Sequence, residues 1–220
     1  MLSRNPAIRL LSLAIVLSAA VTRAETLEVA GARLHLDWRG DYTLREREKT
    51  RLWLRHAGFA TATLYGQLPR EDITLILEKV PAAREPVPFA RVIRSRPPAI
   101  RFYLDPTRPL GDFTRDWTAV HELSHLYIPY PGDQAIWLSE GLASYYQNVL
   151  QARAGVLSAD EAWLRLRQGF KRGQADKRHN ALSLGELSPR MWETGSYMRV
   201  YWSGAAYFLE ADLQLRHQSD

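Results

Sequence analysis

Residues 121–125 read His-Glu-Leu-Ser-His. Histidines at i and i+4 of a helix leave one face about a turn apart, so both imidazoles can reach one metal ion at about 2.0–2.1 Å. Glu122 stands between them, beside such an ion rather than bonded to it, where it can take a proton from a metal-bound water. The same five letters also fit an ordinary amphipathic turn. A catalytic zinc needs a third protein ligand and one open position. Glu140 is the candidate, 15 residues after His125 and past the turn "PYPGD". Two antiparallel helices joined there would carry it towards the histidine pair. Taken alone, Glu140 reads as well as a solvated helix carboxylate. Gly141 beside it permits close approach of backbone or substrate.

The elements that must position these residues follow from periodicity and punctuation. "TLEVAGARLHLDW" (26–38) alternates apolar residues around "AGA" and predicts a hairpin or a bent strand. Residues 42–68 predict a helix with Leu44, Leu52, Leu54, Phe59 and Leu64 on its apolar side and "REREK" on a solvated face. "DITLILEKV" (72–80), "FARVIRS" (89–95) and "AIRFYLD" (99–105) predict strands. Seven of the 12 prolines fall between 81 and 109, which rules out helix there and suits "FARVIRS" to a sheet edge. The character then changes. Residues 112–128 predict one helix, with Asp112 as cap and Pro129 as stop, and 135–153 a second. Ser158 and Glu161 form a capping box for a helix over 158–170, "KRGQADKRHN" (171–180) reads as a polar loop, and 196–218 as a long final helix. Strands first and helices after give an α+β class: a small N-terminal mixed sheet over 25–110, then a helical, zinc-binding half of the same domain over 111–220.

With 46% hydrophobic and 10% aromatic residues, the 220-residue chain can bury a full core. Residues 1–24 have the grammar of a signal peptide: Arg4 and Arg9, an apolar run from Leu10 to Ala20, and Ala24 at a cleavage point. This predicts a periplasmic or secreted protein; an N-terminal membrane anchor is the alternative, although the run is short for a span. The chain has no cysteine, which excludes disulfides and a lipoprotein anchor. Removing Arg4, Arg9 and Arg23 lowers Lys+Arg from 29 to 26 against 24 acids, a net charge of +2. That small excess, without basic runs interleaved with aromatics, points away from nucleic acid.

HELSH followed by "WLSEGLA" (137–143) resembles the gluzincin peptidases of clan MA, above all the aminopeptidase families that read HExxH and then W-L-x-E-G-x-A. "VYWSGAAYFLEADLQLR" (200–216) is similar to the helix of those families that reads Tyr-x-x-Gly before an apolar run, and its ending is similar to the M61, or glycyl aminopeptidase, family. The helical half also resembles shorter peptidase MA-like domains. The resemblance spans about 100–216, with its motifs in the family order. It implies a zincin-like fold, one zinc ion on His121, His125 and Glu140, Glu122 as general base and Tyr201, followed by Gly204, as the residue that stabilises the oxyanion. Tyr197 and Tyr207 lie close by in sequence, and Tyr201 alone also reads as a packed aromatic. The implied substrate is a peptide or protein, laid along the edge strand "FARVIRS" by strand addition. Ser144, one turn after Glu140, is a candidate to orient a histidine. A zinc-containing peptide-binding or chaperone-like domain without hydrolysis is the alternative function; the retained Glu122 favours the enzyme. The sequence departs from the family pattern in three ways. The His125–Glu140 spacing is shorter. The Gly-rich signature that recognises a free N-terminus is replaced near "FARVIRS" by a Pro- and Arg-rich strand. A large N-terminal β-domain and a C-terminal domain are expected to be absent or not included.

Overall fold

The computed structural model describes residues 25–219; the expected targeting segment, residues 1–24, lies outside them. β1 (Glu25–Val29) and β2 (Ala32–Arg39) form a hairpin rather than one bent strand. Its two-residue turn places Ala30 and Gly31 at φ 48° and 79°, the twist that matches the flanking strands. α1 (Leu44–Ala62) follows, then β3 (Asp72–Lys79), β4 (Phe89–Ile93) and β5 (Ala99–Leu104). The five strands make one mixed sheet in the order β1-β2-β3-β5-β4, antiparallel at both ends and parallel through β2, β3 and β5. β4 is an edge strand, as its prolines predict.

One face of the sheet is apolar at every second residue. Leu34, Leu36, Ile73, Leu75, Leu77, Ile100, Phe102 and Leu104 are fully buried there. α1 lies in this core through Trp53, Leu54, Ala57 and Ala60. This corrects the predicted apolar side: Leu44, Leu52 and Phe59 are exposed, and of that set only Leu54 is fully buried. The reason is steric. A Cβ on Gly58 would lie 2.6 Å from Val29 Cγ1, so small residues, not leucines, set how closely the helix sits on the sheet. α1 is also shorter than 42–68. Thr43 and Glu46 close a capping box at its start, and a turn ending at Gly66, φ 77°, terminates it.

The expected single helix over 112–128 is two: α2 (Leu110–Arg115) and α3 (Thr118–Ser124). Asp116 between them is extended, at ψ 140°, and its carboxylate accepts a bond from the Thr118 N–H at 2.8 Å. Asp112 is no cap; it pairs with Arg108 at 2.9 Å. α4 (Ile136–Arg153) is entered through a 3₁₀ turn, Asp133–Ala135. α5 (Ala159–Ala175) starts on the Ser158–Glu161 capping box and runs through the first half of the expected polar loop. Gly169 and Gly173 explain the extension, because both face Trp202 and a Cβ on Gly169 would lie 2.1 Å from its ring. Two short helices, α6 (Leu184–Leu187) and α7 (Met191–Thr194), precede the long α8 (Tyr197–Ser219). No helix among the described residues is long and apolar enough to cross a membrane.

Candidate metal centre

α3 is buried along its whole length. Val120 and Leu123 enter the main core, which leaves His121, Glu122 and His125 to face α4 and β4. His125 is the C-cap, yet it keeps helical dihedrals, and its N–H still bonds to His121 O at 3.3 Å. The i, i+4 geometry therefore survives, with ring centroids 4.8 Å apart. α4 brings Glu140 across: its Oε2 lies 3.3 Å from His121 Nε2 and 3.5 Å from His125 Nε2.

These separations are a test of fit for a metal. Two ligands bound at ~2.05 Å with tetrahedral angles stand about 3.4 Å apart. The three candidate ligand atoms all lie within 4.8 Å of one another, on two buried imidazoles and a largely buried carboxylate. The other imidazole nitrogens are engaged. His121 Nδ1 bonds to Gln147 Oε1 at 2.8 Å and His125 Nδ1 to Ser139 Oγ at 2.9 Å. An amide oxygen only accepts, so His121 carries its proton on Nδ1 and turns the Nε2 lone pair to the centre. The donor set fits one divalent ion of the kind that imidazole and carboxylate share.

Gln147 and Ser139, rather than Ser144, therefore orient the histidines. Ser144 is on the right face of α4 but one turn short of Gln147. The missed signal is a polar stripe on an otherwise buried helix face: Ser139, Ser144, Gln147, Asn148 and Gln151 are all buried. Gln151 completes it by donating to Asp116 O at 2.7 Å. α4 thus holds α3 at His125, at His121 and at the break before the helix.

The electrostatics suit an ion and a base. Burial alone would push Glu140 up, but His125 and His121 hold it well below the ordinary carboxylate range. Burial would lower His121, and the Glu140 carboxylate outweighs it, so His121 is raised. Glu122 is 7% exposed, and burial raises it above a free carboxyl against the pull of His125 and His121. A buried carboxylate with a raised pKa is a stronger base than a solvated one.

The tyrosine question has a geometric answer. Tyr197 stacks on Trp192 and Tyr207 meets Trp137 edge to face, and both are substantially exposed. Tyr201 stacks over the His121 ring at 6.2 Å, and its hydroxyl faces Glu140, with burial and that carboxylate keeping it protonated. A glycine crossing sets this approach. A Cβ on Gly141 would lie 2.4 Å from the Gly204 backbone, and one on Gly204 would lie 2.1 Å from Trp137 O. α4 and α8 therefore touch backbone to backbone, with Glu140 and Tyr201 at the crossing. Open space adjoins the centre on two sides: a cleft of about 340 Å³ beside His121 and Tyr201, and one of about 450 Å³ beside His125 and β4.

Residues 117–207 match the family model of the M61 glycyl aminopeptidases. Among solved structures, the chain is similar to a crystal structure of an aminopeptidase N family protein from Idiomarina loihiensis, with a TM-score of 0.65 and 19% sequence identity. That match covers 89% of this chain and 38% of the other, so the chain spans well under half the length of that protein. No curated protein matches the chain significantly. The family match bears out the resemblance to the M61 peptidases over residues 117–207, and the structural match bears out the aminopeptidase-like α+β fold.

Proposed function

We propose that this chain, M61-like over residues 117–207, hydrolyses peptide bonds with one zinc ion held by His121, His125 and Glu140. The observation that carries the reading is the convergence of these three ligand atoms from two helices beside a buried carboxylate that is not itself one of them. Zinc there would supply a Lewis acid and an acidified water. Glu122 takes the proton of the attacking water and returns it to the leaving amine. The Tyr201 hydroxyl, kept protonated by its surroundings, donates to the oxygen on which charge develops. Gln147 holds His121 in one tautomer, and Gln147 and Ser139 hold both imidazoles in one orientation. The expectation of a periplasmic or secreted location rests on the pattern of residues 1–24.

Glu122→Gln tests the reading. The variant keeps size and leaves the ligands, so it should bind zinc as the wild type does while peptide cleavage falls about 10³-fold, the scale of losing a positioned base. Equal cleavage by variant and wild type, or no cleavage of any peptide in a library by the zinc-loaded wild type, would sink it.

A further inference from the structure

The cleft beside His125 is lined by three arginines, Arg70, Arg94 and Arg96, together with Val92, Ser95 and Tyr130, and by no acid. None of the three takes part in an ion pair among the described residues. Arg94 is also held in place. Its guanidinium lies 3.6 Å from the centroid of the Tyr130 ring, and the Tyr130 hydroxyl donates to Asp133 Oδ1 at 2.6 Å. A guanidinium presents its N–H donors in the fork that matches a carboxylate. Arg94 continues edge strand β4, whose outer edge is unpaired among the described residues. It lines the same cleft as His125. A peptide added along β4 with a carbonyl presented to the centre must pass Arg94.

We infer that Arg70, Arg94 and Arg96 form a carboxylate-binding subsite that selects acidic peptide substrates next to the scissile bond. The inference rests on the peptide reading of the metal centre and deepens it. Two groups of a peptide supply the same chemistry: a Glu or Asp side chain, and a free C-terminal carboxylate. Both meet an arginine fork with two parallel charge-assisted bonds, each shorter and stronger than a neutral one. Lysine at the same place would offer only a point charge.

The test is equilibrium binding of labelled eight-residue peptides to the zinc-loaded Glu122→Gln protein, which separates recognition from cleavage. One set carries Glu or Gln at successive positions; a second compares free with amidated C-termini. The expected result is binding about 10-fold tighter for one carboxylate-bearing member than for its neutral isostere, the scale of one charge-assisted hydrogen bond. That ratio should fall to near one in Arg94→Met and stay intermediate in Arg94→Lys. Preference in the first set assigns a side chain, and preference in the second a chain terminus. Equal binding of charged and neutral members, or a preference unchanged in Arg94→Met and in the triple Met variant of Arg70, Arg94 and Arg96, overturns the subsite. Cleavage by the wild type is read in parallel. A binding preference without cleavage would sink the hydrolytic reading and leave the subsite standing, whereas cleavage without preference would do the reverse.

Discussion

At the scale of single residues, the centre depends on which nitrogen each histidine presents. Gln147 fixes the proton of His121 on Nδ1 through a 2.8 Å bond inside a buried site. Replacing it by alanine removes the acceptor and leaves a ring free to turn or to change tautomer. Gln147→Ala should therefore bind zinc about 10–100-fold more weakly, read by competition with a chromophoric chelator. Ser144→Ala, on the same helix face, is the comparison and should change affinity little. That His121, His125 and Glu140 come together was legible from spacing and the family resemblance, because i and i+4 need only a helix and Glu140 needs only a turn back. The orienting pair was not. Ser139 reaches His125 and Gln147 reaches His121 because α4 crosses α3 at a particular height, which the spacing of letters does not contain.

At the scale of elements, two features aim the ligands. The first is the crossing of α4 and α8 at Gly141 and Gly204. An alanine inside a helix normally gains about 1 kcal/mol over glycine. At Gly204 that gain opposes a Cβ 2.1 Å from Trp137 O and 2.8 Å from Gly141 Cα, both backbone atoms that cannot step aside. Overpacking of this kind costs about 1–3 kcal/mol or more, so the clash outweighs the propensity. Gly204→Ala should lose about 2 kcal/mol in urea unfolding and part Tyr201 from Glu140, lowering peptide turnover as well. Gly111→Ala in α2 meets nothing within 4 Å and should be neutral or slightly stabilising. The second feature is the break at Asp116. The sequence reads as one continuous helix there, since nothing in "DFTRDWTAV" announces that the aspartate will turn its carboxylate onto Thr118 N–H. Burial pushes Asp116 up to about 6. Its folded-state pKa is thus above the unfolded value, so its contribution to stability is complete below about pH 4 and is lost as pH rises to about 6. Asp116→Asn keeps an acceptor for Thr118 without the charge. The difference in unfolding free energy between variant and wild type should then grow in favour of the variant by about 2 kcal/mol across that window. A difference that does not change with pH would show that the aspartate ionises as freely when folded as when unfolded.

At the scale of the whole molecule, sheet and metal helices share one core. Trp53 of α1 meets Phe102 of β5 and Phe113 of α2 at 5.3 and 5.4 Å, and the same cluster takes in Val120 and Leu123 of α3 and Leu150 of α4. The change of character near residue 111 correctly announced strands before helices. It did not announce this continuity, because the residues that make it are single apolar side chains scattered through segments of different type. Continuity has a thermodynamic consequence. An ion that binds only the folded state stabilises whatever unfolds together with its ligands, by about 2.7 kcal/mol at 100-fold excess over its dissociation constant. For a chain of this size that corresponds to about 5–10 °C in melting temperature. Because α3 packs into the core of the sheet, removing zinc with a chelator should lower the melting temperature by that amount in a single transition. Far-ultraviolet ellipticity, which reads sheet and helices together, should give the same midpoint as tryptophan fluorescence, which includes Trp53 in the core and Trp117 beside His121. Two separated transitions after chelation would mean that the helical half opens by itself and that the core does not carry the metal's free energy to the sheet. An unchanged melting temperature would mean that no ion is held by His121, His125 and Glu140 in the folded chain.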